Sequence, residues 1–382
     1  MTIAKKSSEH SAGVKLDSRY ADAKGRLYFY DNAKFILIFL VVLAHAISPF
    51  KANGPGYQVF HYMWRLINTL HMPCLIFISG FFAKKYIRPD GSINIQRPFT
   101  YIMYYLAAQF TVGAFEVFVL GDAISKSVLA PRSSLWFLVC LIWWYILLPL
   151  IDKIDPVKMM VIAVLAGLLI GYDEKVSNFM AVSRMVTHFP FFLFGYYVTA
   201  DQMQKLVTKK AKLISLPVAV AALGSIVVIM LLFGEGGRYS FSIDSFITCD
   251  KSYFTIFKNK GTNPLLWALP RVWFYACASA LCYCFLVWVP RKKNIFTRFG
   301  ARTLAVYILH RYLYLAYLEY EWASFDWFKY EWFGWKNILV LRLAMMAVAF
   351  GITIILSLYP CYWPFEMLGK IKINRLLKKT KE

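Results

Sequence analysis

The sequence has few charged residues, and acidic residues are especially scarce. Only 17% of its 382 residues are charged, and 43 Lys and Arg outnumber 21 Asp and Glu. The basic residues stand at the ends of apolar runs rather than along one polar segment. That distribution argues against a nucleic-acid-binding domain, in spite of the formal net charge of +22. Since 59% of the residues are hydrophobic, against roughly half in soluble domains, the composition indicates a polytopic membrane protein.

Several informative motifs are also missing. The seven cysteines include no CxxC pair, and most of them lie in or beside apolar runs, so neither a disulfide framework nor a cysteine metal site is expected. There is no GxSxG motif, which argues against a hydrolase-type serine nucleophile. The first thirty residues contain no apolar signal-peptide core. No internal repeat is visible, and this argues against a transporter built from inverted halves.

Apolar runs of membrane-spanning length are abundant. A helix needs about 20 apolar residues to cross a bilayer, so the sequence predicts an all-α bundle of about ten transmembrane helices. They form one domain, 31–363, between a disordered N-terminal segment, 1–30, and a basic tail, 364–382. The longest connection, 234–264, is too short to fold as a separate domain. The predicted spans are 33–50, 62–83, 98–120, 134–151, 157–172, 184–200, 213–233, 265–289, 302–320 and 337–360.

The distribution of basic residues predicts the orientation of this bundle. If the N-terminus is cytoplasmic, the cytoplasmic connections include 84–97, 290–301 and the tail, where Lys and Arg are concentrated. The connections on the other side, such as 321–336, are poorer in basic residues. The positive-inside rule therefore predicts that both termini are cytoplasmic. The basic tail is expected to rest on anionic lipid headgroups.

Three histidines, His45, His71 and His310, fall well inside predicted spans. At about 1.5 Å of rise per residue, all three lie near the middle of the bilayer, where an ionisable group is costly unless it is paired or hydrated. Neutral imidazole can accept a proton and act as a general base. Each ring alone is equally well explained by helix packing, but three at one depth favour a shared polar cavity. A metal site is not expected, because only Glu116 offers a carboxylate at a matching depth.

Two residues near the ends of predicted spans are candidate substrate ligands. They are Arg65 and Trp136. A belt of aromatic residues at the membrane surface explains Trp136 equally well. Ser79 and Gly80, in the second span, are small residues of the kind that lets helices approach closely.

Five segments resemble, in order, spans of the membrane-bound acyltransferase family three, which includes fucose 4-O-acetylase-like proteins. In the first, YDNAKFILIFLVVLAHAI, Lys34 precedes His45 by eleven positions. A basic residue, in many members arginine, precedes an intramembrane histidine by the same interval in that family. The second segment, LHMPCLIFISGFFAKK, resembles the second span of the family. The segments SLWFLVCLIWW, FPFFLFGYY and GARTLAVYILH resemble its fourth, sixth and ninth spans, so the resemblance runs from about residue 28 to 360.

The resemblance implies acyl transfer, most often of an acetyl group, from cytoplasmic acetyl-CoA or another acyl-CoA to a carbohydrate hydroxyl. His45 would take the hydroxyl proton, and His71 or His310 would orient it or act as a second acid. Acyl-CoA is then a donor substrate rather than a bound cofactor. Its phosphates would be held by cytoplasmic basic residues, and the candidates are Lys34, Lys84, Lys85, Arg88 and Arg97. The carbohydrate would be bound by Arg65 and by Trp136, whose indole could stack on a sugar ring.

Two other classes of function remain open at this point. The same histidines could relay protons in a proton-coupled transporter or a flippase of lipid-linked glycans. A membrane sensor or scaffold would need none of them. The basic connections and the missing signal peptide favour a bacterial cell membrane over a eukaryotic secretory membrane.

Overall fold

The protein is described by a computed structural model that covers residues 20–21, 25–51, 57–121, 127–175, 179–233, 243–257, 263–319 and 337–373. Within these ranges the regular structure is helical, with fifteen α-helices and no strand. This confirms the all-α prediction. Most of the predicted N-terminal segment, 1–30, and the end of the predicted tail, 364–382, lie outside the described residues.

Each of the ten predicted spans corresponds to one long helix, and five shorter helices were not predicted. The fifteen helices are α1 Tyr28–Ile47, α2 Tyr57–Ala83, α3 Gln96–Phe118, α4 Trp136–Ile151, α5 Pro156–Leu169, α6 Val182–Tyr197, α7 Ala200–Lys205, α8 Lys209–Phe233, α9 Ile243–Thr248, α10 Tyr253–Phe257, α11 Leu269–Trp288, α12 Thr297–Gly300, α13 Thr303–Glu319, α14 Asn337–Leu356 and α15 Tyr359–Gly369.

Not every long helix has the length and composition of a membrane span. Among the described residues, four helices do: α1, α2, α8 and α11. A fifth candidate is the pair α14 and α15, which are bent by 50° at a short break. The helices α4 and α5 are apolar but shorter. The count of ten spans and the cytoplasmic termini therefore stay predictions.

Local sequence explains where some of these helices begin. The Asp155 side chain accepts hydrogen bonds from the backbone N–H groups of Val157 and Lys158, and Pro156 occupies the first turn of α5. Thr199 and Gln202 form a capping box at the start of α7. Both arrangements satisfy N–H groups that have no partner within the helix.

The helix α2 lies at the centre of the bundle. It packs against α1, α6, α8 and α11, and its longest contact is with α6. At this crossing Gly80 of α2 faces the backbone of Phe192, and Gly195 of α6 faces the backbone of Phe77. A Cβ atom on either glycine would collide with the carbonyl oxygen opposite. The two backbones are therefore in direct contact, as small residues allow in membrane helices.

The bundle has two ends of different character. At one end, which we call the basic end, α1 and α13 begin and α2 and α11 finish. Asn32 connects α1 to the segment that follows α11 and to α12. Its side chain donates to the carbonyls of Pro290 and Lys292 and accepts from the Thr297 hydroxyl. The opposite end, which we call the far end, carries the starts of α2, α4, α6 and α11.

A short helical segment, residues 243–257, covers part of the far end; we call it the cap. It contains α9 and α10 and lies in the described part of the connection 234–264. The Asp244 carboxylate of the cap accepts from Arg65 at 2.7 Å and lies 2.8 Å from His61 of the same helix, α2. The cap is also tied to α6, because the Ser183 hydroxyl donates to the carbonyl of Cys249 at 2.9 Å.

Candidate active site

A large cavity opens at the basic end of the bundle. Its volume is about 1090 Å³, at the upper limit of the 300–1,000 Å³ of ordinary ligand pockets. Five basic residues line it, while Asp31 is its acidic lining residue. The aromatic part of the lining includes several tyrosines. The basic residues are Arg26, Lys34, Lys85, Arg97 and Arg291, and the tyrosines include Tyr30, Tyr86, Tyr101, Tyr104 and Tyr145.

The basic side chains of the cavity are held by aromatic rings and by Asp31. The Arg97 guanidinium stacks over Tyr101, 4.9 Å from the ring centroid, and over Tyr86 at 5.3 Å. Asp31 accepts a hydrogen bond from Arg26 at 2.6 Å and lies 3.0 Å from the Lys34 amine. With one carboxylate and five cations among its described lining residues, the cavity has a net positive charge that suits an anionic ligand.

Arg291 adds a cation in the connection between α11 and α12. Its guanidinium lies 4.3 Å from the centroid of the Phe29 ring. Burial lowers the pKa of Arg291 from its ordinary value, and the neighbouring Tyr30 opposes that shift. An arginine remains charged at neutral pH in spite of such a shift.

Two of the basic residues proposed from the sequence lie away from this cavity. The Lys84 amine donates to the backbone carbonyl of Val198 and lies 5.3 Å from the centroid of the Phe81 ring. Arg88 is exposed in the turn after α2, where its side chain reaches the Ser92 hydroxyl at 3.5 Å. Of the five proposed phosphate ligands, the structure thus brings Lys34, Lys85 and Arg97 to one cavity.

The three histidines proposed from the sequence converge on one region. The rings of His45 and His310 lie 5.2 Å apart between centroids, and His71 lies within electrostatic range of both. His45 is in the last turn of α1, because this helix begins five residues earlier and ends three residues earlier than the predicted span. The contact between His45 and His310 therefore depends on how α1 and α13 pack rather than on equal depth along each helix.

The hydrogen bonds of two of these rings determine which nitrogen can accept a proton. Nδ1 of His310 lies 2.8 Å from the Val306 carbonyl, and Nδ1 of His71 lies 2.6 Å from the Ile67 carbonyl. Since a carbonyl only accepts, each Nδ1 carries a hydrogen, and in the neutral ring the lone pair is on Nε2. Nε2 of His310 is buried without a hydrogen-bond partner among the described residues. It is therefore free to act as a base.

The basic cavity leads toward this histidine pair. Its inner wall includes Ile38 of α1 and Tyr307 of α13. The ring of Tyr307 lies 6.4 Å from that of His310, and its hydroxyl donates to the backbone carbonyl of Ser134. A ligand that fills the cavity would thus extend from the cations of the basic end to the neighbourhood of His310.

A cation and a phenol complete the surroundings of the histidine pair. Tyr314 lies 4.8 Å from His45 between ring centroids. Arg311 stacks over Tyr314 at 4.9 Å, and its Nε and Nη1 have no hydrogen-bond partner among the described residues. Sequence reasoning missed both residues. The signal was in the sequence HRYLY, because positions 310, 311 and 314 fall on neighbouring faces of a helix.

The two proposed carbohydrate ligands lie apart at the far end. The Arg65 guanidinium forms a salt bridge with Asp244 of the cap. Trp136 contacts the His188 ring, at 5.2 Å between centroids, and the Arg184 guanidinium, at 5.3 Å. Sequence reasoning missed His188 and Arg184, whose spacing of four residues on one helical face was the available signal.

Comparison with known families decides the class of the protein. The family model described as an acyltransferase domain matches residues 27–363, which is most of the chain. The chain belongs to this acyltransferase family. No curated protein matches it, and no solved structure does. With its apolar helices, the acyltransferase is a membrane protein, as the sequence resemblance predicted. The matched range contains the histidine pair and four of the five cations of the basic cavity, all except Arg26.

Proposed function

We propose that the acyltransferase moves an acetyl or similar acyl group from cytoplasmic acyl-CoA to a hydroxyl group of a carbohydrate, in the cell membrane of a bacterium. The observation that carries this proposal is the course of the basic cavity, which runs from five cationic side chains at one end to Tyr307, beside His310, at the other. The basic end would face the cytoplasm, in agreement with the positive-inside rule.

The cavity suits the donor in charge, size and shape. Lys34, Lys85 and Arg97 would bind the phosphates through charge-assisted hydrogen bonds, and tyrosine rings such as Tyr101 offer surfaces on which the adenine could stack. The narrow pantetheine arm would run inward between α1 and α13. Its thioester would then lie next to the histidine pair.

The chemistry requires one proton to leave the acceptor. The acceptor oxygen attacks the thioester carbonyl carbon while Nε2 of His310 or a nitrogen of His45 takes the hydroxyl proton. The C–S bond then breaks, the new ester forms, and the proton passes to the thiolate to give free CoA. Arg311, beside the pair, would stabilise the negative charge that develops on the carbonyl oxygen. His71 would keep the adjoining rings oriented.

The acceptor would approach from the far end. Trp136 faces this side and offers an indole surface of the kind that stacks on sugar rings. Donor and acceptor would thus reach the histidines from opposite ends of the bundle. An acyl group could cross part of the membrane in this way without any movement of CoA itself.

The direct test uses the purified protein in lipid nanodiscs with radiolabelled acetyl-CoA. We expect release of free CoA that depends on an added carbohydrate acceptor, together with label in the carbohydrate. A protein in which both His45 and His310 are replaced by Gln is the control and should release no CoA above background.

The same preparation in proteoliposomes separates the enzyme from a transporter. Uptake of a carbohydrate or glycolipid without acetyl-CoA, with no acetyl transfer under any condition tested, would contradict the proposal. Transfer of label with no uptake of the unmodified acceptor would support it.

A further inference from the structure

Arg271 is the most unusual charged residue at the far end. It lies in the first turn of α11, beneath the cap, and its relative exposure is 0%. Its three guanidinium nitrogens have no carboxylate or backbone hydrogen-bond partner among the described residues, and the Tyr253 side chain is the hydrogen-bonding group beside them. A buried, unpaired cation costs several kcal/mol, so a residue of this kind needs either a compensating partner or a functional reason.

The surroundings of Arg271 offer aromatic rings rather than a carboxylate. Its guanidinium lies 5.8 Å from the centroid of the Tyr253 ring and 5.9 Å from that of Phe246, both of the cap. The Tyr253 hydroxyl donates to the carbonyl of Leu168 at 3.0 Å. Such cation–π contacts recover only part of the cost of burying a charge.

The acidic residues of the cap are engaged by other cations. Asp244 pairs with Arg65 at 2.7 Å, and Asp250 lies 3.2 Å from Arg184. Around Arg271 the described residues therefore contain two arginines, Arg184 and Arg271, for one carboxylate, that of Asp250. The region has one positive charge in excess, and an external anion would balance it.

One polar side chain, that of His188, is near both Arg271 and the candidate active site. Arg271 and His71 are each within electrostatic range of its ring. The same ring contacts Trp136 at 5.2 Å and Phe274, three residues after Arg271, at 6.0 Å. A ligand at Arg271 would thus be adjacent to the residues that lead to the histidine pair.

We propose that Arg271 binds an oxyanion, a carboxylate or a phosphate, on the acceptor, and that the acceptor is therefore an acidic carbohydrate. This inference rests on the proposed function, because it gives the chemical class of the second substrate. The guanidinium would bind the oxyanion through two parallel hydrogen bonds. Trp136, with Arg184 over its ring, would border the sugar that carries this group.

Access to Arg271 requires the cap to move. Among the described residues, the cap is held to the bundle by the contacts of Arg65 and His61 with Asp244 and by hydrogen bonds to backbone carbonyls. These run from Ser183 to Cys249, from Arg184 to Thr248 and from Tyr253 to Leu168. The cap buries the Phe246 and Tyr253 rings that face Arg271. An anion that enters would separate these rings from the guanidinium and replace weak cation–π contacts with an ion pair.

The test measures ligand-induced thermal stabilisation of the full chain in nanodiscs, without acyl-CoA. The probes are methyl glucuronide, glucose 1-phosphate and neutral methyl glucoside, all at equal ionic strength. We expect one or both anionic probes to raise the melting temperature of the unmodified chain, and methyl glucoside to leave it unchanged. The first two probes distinguish a carboxylate acceptor from a phosphate acceptor.

Two variants at Arg271 distinguish an anion site from a structural cation. Arg271→Gln should weaken the apparent affinity for the anionic probe about 30-fold or more, since truncating one partner of a buried charge pair is costly. Arg271→Met should raise the melting temperature without ligand, because an unpaired buried charge is removed. A structural role in holding the cap predicts the opposite sign for Met. Arg302→Gln, at the basic end, is the matched control and should keep the response to the probe.

Each outcome bears on the proposal. Equal stabilisation of the unmodified chain and of Arg271→Gln, or no stabilisation by either anionic probe, would overturn it. Because this readout needs no turnover, it can fail while acetyl transfer succeeds on a neutral acceptor. It can also succeed while no acyl transfer is found, and in that case the proposed function fails and the anion site stands.

Discussion

His310 differs from His45 in a way that matters for proton transfer. Its Nδ1 is occupied by a backbone carbonyl of its own helix, and its Nε2 is buried and without a partner among the described residues. The ring is thus fixed in orientation and in tautomer, as a general base should be. The sequence favoured His45 as the base, and the geometry makes His310 an equal candidate.

We predict that His310→Gln lowers kcat by roughly 10²–10⁴, the usual contribution of a general acid–base, and leaves the KM for acyl-CoA unchanged. Glutamine retains hydrogen bonding but cannot take up a proton. His61→Gln, at the far end and outside the histidine pair, is the control and should keep most of its activity. If His310→Gln is active while His45→Gln is inactive, His45 is the base.

Substitutions can distinguish the effect of the cations that line the basic cavity from the effect of other cations at the same end of the bundle. We predict that Lys85→Ala combined with Arg97→Ala raises the KM for acyl-CoA about tenfold or more, because each charged hydrogen bond contributes about 1.5–3 kcal/mol. The affinity for the acceptor should change little. Lys158→Ala, exposed at the start of α5, is the matched control for lost charge. An unchanged donor KM in the double variant would rule out this cavity as the donor site.

The crossing of α2 and α6 leaves no room for added volume at its two glycines. Gly80→Ala or Gly195→Ala places a methyl group against a backbone carbonyl, which cannot move as a side chain can. We predict that each lowers the free energy of unfolding by about 1–3 kcal/mol, the usual cost of overpacking. The measurement is the melting temperature in a fixed detergent.

Gly224 of α8 provides a control for the same substitution. A Cβ there meets no atom of the described residues within 4 Å. Gly224→Ala should therefore be neutral or slightly stabilising, because alanine favours helix formation. If all three variants were equally stable, the backbone contact between α2 and α6 would not exist in the membrane.

The long helices could be predicted from the sequence because an apolar run is a local property. The short helices α9 and α10 could not, since they form only where the cap packs on the far end. The contact between His45 and His310 joins residues far apart in the chain, so the sequence suggested a shared cavity but not the pairing. The burial of Arg271 could not be predicted from the sequence either, because it depends on the cap packing over the first turn of α11.

For the whole molecule, the central question is which end faces the cytoplasm. We predict that reporters fused within 290–301 and within 234–264 lie on opposite sides of the membrane, with 290–301 cytoplasmic. The reason is the concentration of Lys and Arg at the basic end. Alkaline phosphatase and green fluorescent protein fusions at the two sites give complementary readouts. An external location for 290–301 would place the basic cavity out of reach of cytoplasmic acyl-CoA.

The crossing of α2 and α6, where Gly80 faces Phe192 and Gly195 faces Phe77, is a common reference point for depth along these two parallel helices. His71 lies nine residues before Gly80, about 14 Å along α2, and His188 lies seven residues before Gly195, about 10 Å along α6. One residue inserted between histidine and glycine in a single helix would rotate that ring by about 100°. A shift in the depth of both rings that keeps them aligned with each other would therefore require changes in both helices.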